Sequence, residues 1–258
     1  MNLIKCYQTN SSWYKSAVKN GVPVGVLWHD TGAGNAYLKR YVQPTDGAAD
    51  YDAMIKLIGK NQYGNDWNHT SGSSGVNAWI GKLADGSIAT IQAGEWNLHP
   101  WGCGSGAKGS CNGYIVNGSK KEWLKPFWLQ FEICDDGYKN KDYFLKAYKE
   151  AIEFTAYICK EFKIDPFGTY EFNGVSVPTI LCHKDAHELK LGSNHGDVYG
   201  WFDNYGYSME DVRNDVAKLL NGDESKNNVI EIKKPQTVDE LKEAIDILID
   251  AAANNFKK

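Results

Sequence analysis

The sequence predicts an α/β fold in which a central mixed β-sheet is flanked by helices and followed by a C-terminal helical tail. Short apolar segments typical of buried strands alternate with longer segments that have the periodicity of amphipathic helices. After residue 221 the composition becomes polar, which marks the end of the domain. The length of 258 residues fits one large domain with a buried core, or one domain and a tail.

In the first half of the domain, the pattern predicts a strand, a helix and a hairpin. Residues 22–28 (VPVGVLW) are almost continuously apolar, as expected of a strand that is buried on both faces. Apolar residues at helical spacing predict a helix over 46–58. Residues 78–91 predict a hairpin that turns at Asp85-Gly86, a dipeptide favoured in tight turns.

The second half is predicted to contribute two strands and two helices. The strands lie at 127–134 (FWLQFEIC) and 177–182 (VPTILC). A long amphipathic helix is predicted over 142–162, because its apolar residues fall on one side, and a shorter helix over 208–220. The domain that these elements build is predicted to span residues 1–221.

The tail is predicted to consist of a polar linker, residues 222–236, and an amphipathic helix, residues 237–258. Thr237 and Glu240 have the spacing of an N-terminal capping box. Apolar residues alternately three and four apart over 238–252 make up about two heptads. This helix either folds back on the domain or mediates dimerisation, and the heptads are too few to choose between these alternatives.

The charge and hydropathy of the chain exclude several classes of partner. Its 28 basic and 32 acidic residues give a net charge of −4, which argues against nucleic acid binding. No apolar segment approaches the ~20 residues that span a bilayer, so no membrane span is expected. The first residues lack the apolar stretch of a signal peptide, which predicts synthesis in the cytoplasm.

The six cysteines do not form a metal-binding or redox motif. No two of them have CxxC spacing, which excludes zinc-ribbon and thioredoxin-like sites. Cys103 and Cys111 lie in one glycine-rich loop and could form a disulfide if oxidised. Since no secretory signal is evident, free thiols are the favoured interpretation.

Two histidines follow predicted strands, where side chains are held rigidly at the rim of a sheet. His29 follows the first predicted strand and His183 follows the last. Asp197 comes 14 residues after His183, which allows a loop to return to the strand end. Two imidazoles and one carboxylate match a catalytic zinc site with its fourth position left for water. The alternatives are a His183–His187 pair on a helix, or core histidines bonded to the backbone.

Four segments of the sequence together carry a family resemblance. They are WHDTGAGNAYLKRYVQP (28–44), NLHPWGCG (97–104), LQFEICDDG (129–137) and LCHKDAHELKLGSNHGDVYGWF (181–202). They resemble, in the family's order, the zinc-dependent N-acetylmuramoyl-L-alanine amidases of the type 2 family, which includes the peptidoglycan recognition proteins. The NHGD loop in the fourth segment most resembles endolysins from phages and prophages of Gram-positive bacteria. The resemblance covers about residues 20–220.

The resemblance implies a zinc centre formed by His29, His183 and Asp197, the last in a position that is Cys or Asp in different branches of the family. It also implies a catalytic role for Glu132, on a central strand. The competing interpretation of Glu132 is a position on a solvated face of that strand. Two residues before the third ligand, where several branches have Lys, this sequence has His195, the second candidate catalytic residue.

Three residues are candidates for substrate binding. His99 matches a region beside the cleft in the family that the sequence resembles, although here Trp101 follows the histidine instead of preceding it. Trp101 itself is the second candidate, because tryptophan offers a flat apolar face with a polar edge. Asn35, from the first of the four segments, is the third.

The resemblance implies that the protein hydrolyses the amide bond between N-acetylmuramic acid and L-alanine in Gram-positive peptidoglycan, with Zn²⁺ as cofactor. An endolysin or autolysin is the implied type, which acts on the cell wall after release from the cytoplasm. The alternatives are a non-catalytic peptidoglycan-binding module, a zinc peptidase that cuts within the stem peptide, and an intracellular enzyme that recycles muropeptides. The presence of all three candidate ligands favours an enzyme over the binding module.

Overall fold

The computed structural model of the protein describes residues 1–72 and 74–226. The chain divides into two compact units, Met1–Leu220 and Asn221–Lys258. The tail helix predicted over 237–258, with the dimer contact it could form, lies outside the described residues, as does most of the predicted linker. No helix in the described part of the chain is long and apolar enough to cross a membrane.

The described residues form ten β-strands. They are β1 (Leu3–Lys5), β2 (Val22–Asp30), β3 (Ala78–Lys82), β4 (Ile88–Gln92), β5 (Tyr114–Asn117), β6 (Lys120–Trp123), β7 (Pro126–Ile133), β8 (Thr169–Phe172), β9 (Val175–Pro178) and β10 (Ile180–Cys182). Six of them form the central sheet in the order β1-β4-β3-β7-β2-β10, and the others form the hairpins β5-β6 and β8-β9. Neighbours in the central sheet are parallel except β3 and β4, so the sheet is mixed, as predicted.

Six α-helices and one turn of 3₁₀-helix (Leu38–Arg40) accompany the strands in the described residues. The α-helices are α1 (Ser12–Ser16), α2 (Tyr51–Ile58), α3 (Lys141–Phe162), α4 (His183–Glu188), α5 (Tyr199–Tyr205) and α6 (Met209–Lys226). The helices predicted over 142–162 and 208–220 correspond to α3 and α6. The remaining helices, α1, α4 and α5, have at most seven residues, too few for apolar periodicity to reveal them.

Helix α3 packs against β2, β3 and β4 and supplies one wall of the main core. Asn140 caps the helix by accepting a hydrogen bond from the backbone N–H of Tyr143, and Lys163 ends it in the left-handed conformation, with φ of 56°. Phe144 and Phe154 are fully buried on its inner face. The apolar stripe that predicts this helix is therefore the face that the sheet covers.

Three predicted elements differ from the structure by more than two residues at a boundary. Helix α6 continues to Lys226, past the predicted end at residue 220 and into the predicted linker. The helix predicted over 46–58 begins only at Tyr51, because Gly47 adopts a φ of 77° that a right-handed helix cannot include. The strand predicted over 177–182 is two strands. Val175–Pro178 belongs to the β8-β9 hairpin, and only Ile180–Cys182 joins the central sheet.

Thr179 separates these two strands. Its hydroxyl lies 3.1 Å from the carbonyl oxygen of Gly168, to which its backbone N–H also donates, at 3.0 Å. The turn that contains Gly168 thus binds Thr179 through its hydroxyl and its backbone N–H. A continuous apolar run does not reveal such a break, because the pattern carries no information on the partner of each backbone group.

The parallel strands β7, β2 and β10 bring the candidate site to one edge of the sheet. His29 lies opposite Glu132 in the register of β2 and β7, and paired residues on adjacent strands project to the same face. Strand β10 ends at Cys182, opposite Trp28, and His183 follows as the first residue of α4. The carboxyl ends of these strands therefore collect the two histidines and the glutamate.

Candidate metal centre

The side chains of His29, His183 and Asp197 converge on one point. His29 Nδ1 lies 2.9 Å from Asp197 Oδ2 and 3.1 Å from His183 Nδ1. The third side of the triangle, from His183 Nδ1 to Asp197 Oδ2, measures 3.5 Å. Both imidazoles are buried and the carboxylate is partly buried. Among the described residues, these three side chains form a group that could hold a metal ion.

The chemistry of these donors fits zinc. Ligand atoms at about 2.05 Å from a tetrahedral zinc ion lie about 3.3 Å apart, close to the three distances in this triangle. Two imidazole nitrogens and a carboxylate oxygen are ligands that zinc prefers. Three electron-rich atoms packed this closely require a cation or shared protons between them.

The loop that carries Asp197 is fixed from both sides. The carbonyl oxygen of Asp197 accepts a hydrogen bond from the Lys184 backbone N–H at 3.1 Å, which ties the loop to α4. Trp201 and Phe202, a few residues further along, are fully buried and pack against Phe144 of α3. This anchoring holds the carboxylate beside the two strand-end histidines.

The protonation of Asp197 reflects its two histidine neighbours. Burial opposes its ionisation, but the hydrogen bonds from His183 and His29 outweigh burial and hold the pKa of Asp197 well below its usual range. Burial lowers the pKa of His183, and the hydrogen bond to Asp197 opposes that shift. An ionised carboxylate beside a neutral imidazole is the state in which both can ligate a metal.

Glu132 lies beside this triangle, and one of its carboxylate oxygens has no hydrogen-bond partner among the described residues. This oxygen, Oε2, is buried. Burial raises the pKa of Glu132 well above its usual range, and the negative charges of Asp197, Asp30 and Asp135 raise it further. Burial and the same neighbours, Asp197 and Asp135, raise the pKa of Asp30 to about 7. A buried carboxyl group without a partner is available to a water molecule or substrate.

His195 lies on the outer side of His183. Its exposed ring packs on that of His183 with 4.5 Å between ring centroids, and its Nδ1 lies 3.1 Å from Ser193 Oγ. His195 also lines a cavity of about 540 Å³. The residues lining this cavity include aromatic, amide and basic side chains from several loops: Trp101, Asn112, Tyr114, Lys121, Trp123 and Ser193.

Of the three candidate substrate-binding residues, only Trp101 lines this cavity. Its indole Nε1 is buried and unpartnered in the described part of the protein. Asn35 lines a different cavity, of about 250 Å³, together with Lys39 and Arg40. His99 is buried, packs on Phe127 and bonds through Nδ1 to the carbonyl oxygen of Asn112 at 2.8 Å. The structure thus places Asn35 and His99 away from the metal ligands.

A substitution of His99 tests whether this residue stabilises the fold or contributes to the cleft. His99→Leu should lower the free energy of unfolding by about 1–3 kcal/mol, because the Asn112 carbonyl loses its donor. The folded variant should keep its kcat within about threefold. Urea unfolding and hydrolysis of peptidoglycan, the substrate that the sequence motifs predict, check this, and a loss of turnover without a loss of stability would contradict it.

All six cysteines are buried and free in the structure. Burial raises the pKa of the Cys111 thiol well above its usual range, and a hydrogen bond with Cys103 adds to that shift. The raised pKa makes the Cys111 thiol unreactive, and its neighbour Cys103 is a buried free thiol as well.

No protein-family model matches this chain, and no curated protein matches it either. Among solved structures, the chain is similar to the Staphylococcus aureus hydrolase AmiA, solved in complex with its ligand. The identity is 14%, the match covers 85% of this chain and 83% of that chain, and the TM-score is 0.50.

Two further structures align at lower TM-scores. The structure of PlyL has 13% identity, coverage of 84% of this chain and 96% of that chain, and a TM-score of 0.47. A mutant endolysin from Bacillus subtilis has 15% identity, coverage of 84% and 99%, and a TM-score of 0.44. At identities this low, a likeness concerns the fold. This chain therefore has the type 2 amidase fold that its motifs predict, and shares it with the hydrolase AmiA of Staphylococcus aureus.

Proposed function

We propose that this protein is a zinc-dependent N-acetylmuramoyl-L-alanine amidase that acts on the peptidoglycan of Gram-positive cell walls, as an endolysin or autolysin. The observation that carries the proposal is the triangle of His29, His183 and Asp197 beside the unpartnered carboxylate oxygen of Glu132. The fold shared with a hydrolase supports a hydrolytic reaction. The peptidoglycan substrate rests on the resemblance of the four sequence segments.

His29, His183 and Asp197 would hold the zinc ion. Zinc bound there supplies a Lewis acid that polarises the substrate carbonyl and makes water nucleophilic near neutral pH. The three residues keep the centre compact, and the rigid ends of β2 and β10 hold the two imidazoles in place.

Glu132 is the proton carrier. It accepts the proton of the water whose oxygen attacks the lactyl carbonyl carbon, and it delivers that proton to the nitrogen of L-alanine as the C–N bond breaks. A carboxyl group with a raised pKa suits both halves of this transfer, because its affinity for a proton approaches that needed at neutral pH. In its protonated form, His195 would donate a hydrogen bond through Nε2 to the oxyanion that develops on the carbonyl oxygen.

The cavity beside His195 would bind the substrate. Trp101 and Trp123 offer flat apolar faces on which a sugar ring can stack. Lys121 brings a positive charge that suits the carboxylates of a stem peptide.

Loss of one of these stacking faces should weaken binding. Trp101→Ala should raise KM for soluble peptidoglycan fragments about tenfold, with kcat changed less, because an aromatic contact contributes about 1–1.5 kcal/mol. Tyr63→Ala serves as the control, since Tyr63 is 84% exposed and lines the other cavity. Equal effects of the two substitutions on KM would contradict the assignment.

The decisive experiment is mass spectrometry of the products released from purified Gram-positive peptidoglycan. Intact stem peptides with free L-alanine amino termini are expected, with their release lost on chelation and restored by zinc. Cleavage within the stem peptide would instead indicate a zinc peptidase. Retention of wall fragments without any cleavage would indicate a recognition module.

A further inference from the structure

We propose that Gln130 and Ser193 are positioning residues that keep hydrogen on Nε2 of both candidate zinc ligands, His29 and His183, and so leave Nδ1 of each ring as the ligating nitrogen. Both hydrogen-bond relays start from the backbone of one residue, Cys103. The proposal rests on the zinc site of the proposed function and names the groups that give the site its donor atoms.

The first relay runs from the Cys103 backbone N–H to His29. That N–H donates to Asn112 Oδ1 at 3.1 Å, so this side-chain atom is an acceptor. The atom of Gln130 that lies 2.9 Å from Asn112 Oδ1 must then be the donor Nε2. Gln130 therefore turns its Oε1 toward His29 Nε2, at 3.2 Å, and this ring nitrogen must carry hydrogen.

The orientation of the Asn112 amide is fixed at its other end as well. Asn112 Nδ2 donates to the carbonyl oxygen of Gly104 at 3.3 Å, and a carbonyl oxygen can only accept. Rotating the amide by 180° would therefore place like groups opposite each other at both ends. Gln130 is fully buried and Asn112 is 3% exposed, so water cannot replace these partners.

The second relay runs from the Cys103 carbonyl oxygen to His183. Ser193 Oγ lies 3.2 Å from this oxygen, 3.2 Å from His183 Nε2 and 3.1 Å from His195 Nδ1. A hydroxyl group has one hydrogen to donate and two lone pairs. Because the carbonyl oxygen cannot donate, all three contacts are satisfied only when the hydroxyl donates to it. Both ring nitrogens then donate to Ser193 Oγ, so His183 Nε2 carries hydrogen.

Both relays have the same consequence at the centre of the site. A neutral imidazole with hydrogen on Nε2 has a free lone pair on Nδ1, and Nδ1 is the atom of each ring that points at Asp197. Zinc would therefore meet Nδ1 of each ring, while Nε2 stays hydrogen-bonded to its relay. Partners of this kind typically change metal affinity 10–100-fold when removed.

The test is the dissociation constant of zinc, measured by competition with a chromophoric chelator. Gln130→Leu and Ser193→Ala should each raise it at least about tenfold. Gln43→Leu and Ser11→Ala are the matched controls, because they remove a buried amide and a buried hydroxyl far from the zinc ligands. The controls should leave the constant within about threefold, even where they lower stability.

A second pair of variants tests the direction of the first relay without touching an imidazole. Asn112→Asp keeps an oxygen that accepts from both Cys103 N–H and Gln130 Nε2, but its second oxygen faces the Gly104 carbonyl oxygen, so zinc affinity should fall less than in Asn112→Leu. Asn112→Leu removes that oxygen and should weaken zinc binding about tenfold. The absorption spectrum of the cobalt-substituted protein depends on the geometry of the metal centre. It should therefore change more in Asn112→Leu than in Asn112→Asp.

The outcomes separate this inference from the proposed function. If wild-type protein binds zinc but Gln130→Leu and Ser193→Ala bind it equally well, the positioning role is wrong and the amidase proposal stands. If wild-type protein binds zinc but releases no stem peptides, the amidase proposal is wrong, and the effects on zinc affinity still decide the positioning role. If the wild-type protein binds no zinc, both are wrong.

Discussion

Replacing Asp197 with alanine is expected to reduce peptidoglycan hydrolysis by about 10³-fold, because the variant loses the one anionic zinc ligand. The metal contributes several kcal/mol to a reaction of this class, and about 4 kcal/mol corresponds to this loss of rate. Zinc affinity should fall in parallel, since His29 and His183 alone leave two positions of the tetrahedron open. The rate of stem-peptide release and the dissociation constant of zinc are the two measurements.

A matched substitution and a chelator complete this experiment. Asp203→Ala removes an exposed carboxylate a few residues further along the same segment and should leave both quantities unchanged. Chelation of the wild-type protein should reproduce the loss of activity, and added zinc should reverse it. Chelator-resistant activity in Asp197→Ala would show that hydrolysis proceeds without this centre.

Replacing Glu132 with glutamine should remove activity while zinc binding is retained. The loss should be about 10²–10⁴-fold, the usual contribution of a positioned general base. Zinc affinity should stay within about threefold, because Glu132 is not part of the ligand triangle. This combination distinguishes a proton carrier from a ligand, and Glu188→Gln, an exposed carboxylate on α4, is the control. Unchanged turnover in Glu132→Gln would exclude the assigned role.

The free energy of unfolding of Glu132→Gln should also depend on pH differently from that of the wild type. The folded zinc-free protein holds the pKa of Glu132 above its unfolded value of about 4.3, so it binds more protons than the unfolded chain. The contribution of Glu132 to stability therefore becomes less favourable as the pH rises from about 4.3 through the raised pKa. Glu132→Gln should gain stability relative to the wild type between pH 5 and about 8. Urea unfolding of both proteins in the presence of a chelator, at pH 5 and at about pH 8, measures this gain in stability.

The sequence predicts much of the sheet and the three ligating side chains because both depend on local patterns. Apolar runs identify β2 and β7, and polar residues at strand ends identify His29 and His183. The β5-β6 hairpin that brings Tyr114 and Trp123 to the cavity was not predicted. Its residues are mostly exposed and alternate weakly, so no buried face marks them as strands.

The sequence pattern does not predict the contacts of residues whose positions depend on three-dimensional packing. Gln130 shares a strand face with Glu132, but only the position of its side chain in the structure shows that its amide meets His29. Ser193 meets His183 only because the loop after α4 folds back. His99 lies in a motif beside other site residues, yet its ring turns into the core, and sequence proximity does not encode that rotation.

The part that Cys103 plays in the site comes entirely from its peptide groups. Its N–H and carbonyl oxygen orient the two ligand rings, whereas its thiol contacts the carbonyl oxygen of Leu191 in the segment after α4. Any residue except proline, which has no backbone N–H, would supply the same two groups if it kept this backbone path. Alignment columns score side chains, so relatives could differ at this position and still inherit the same coordination chemistry through the shape of the main chain.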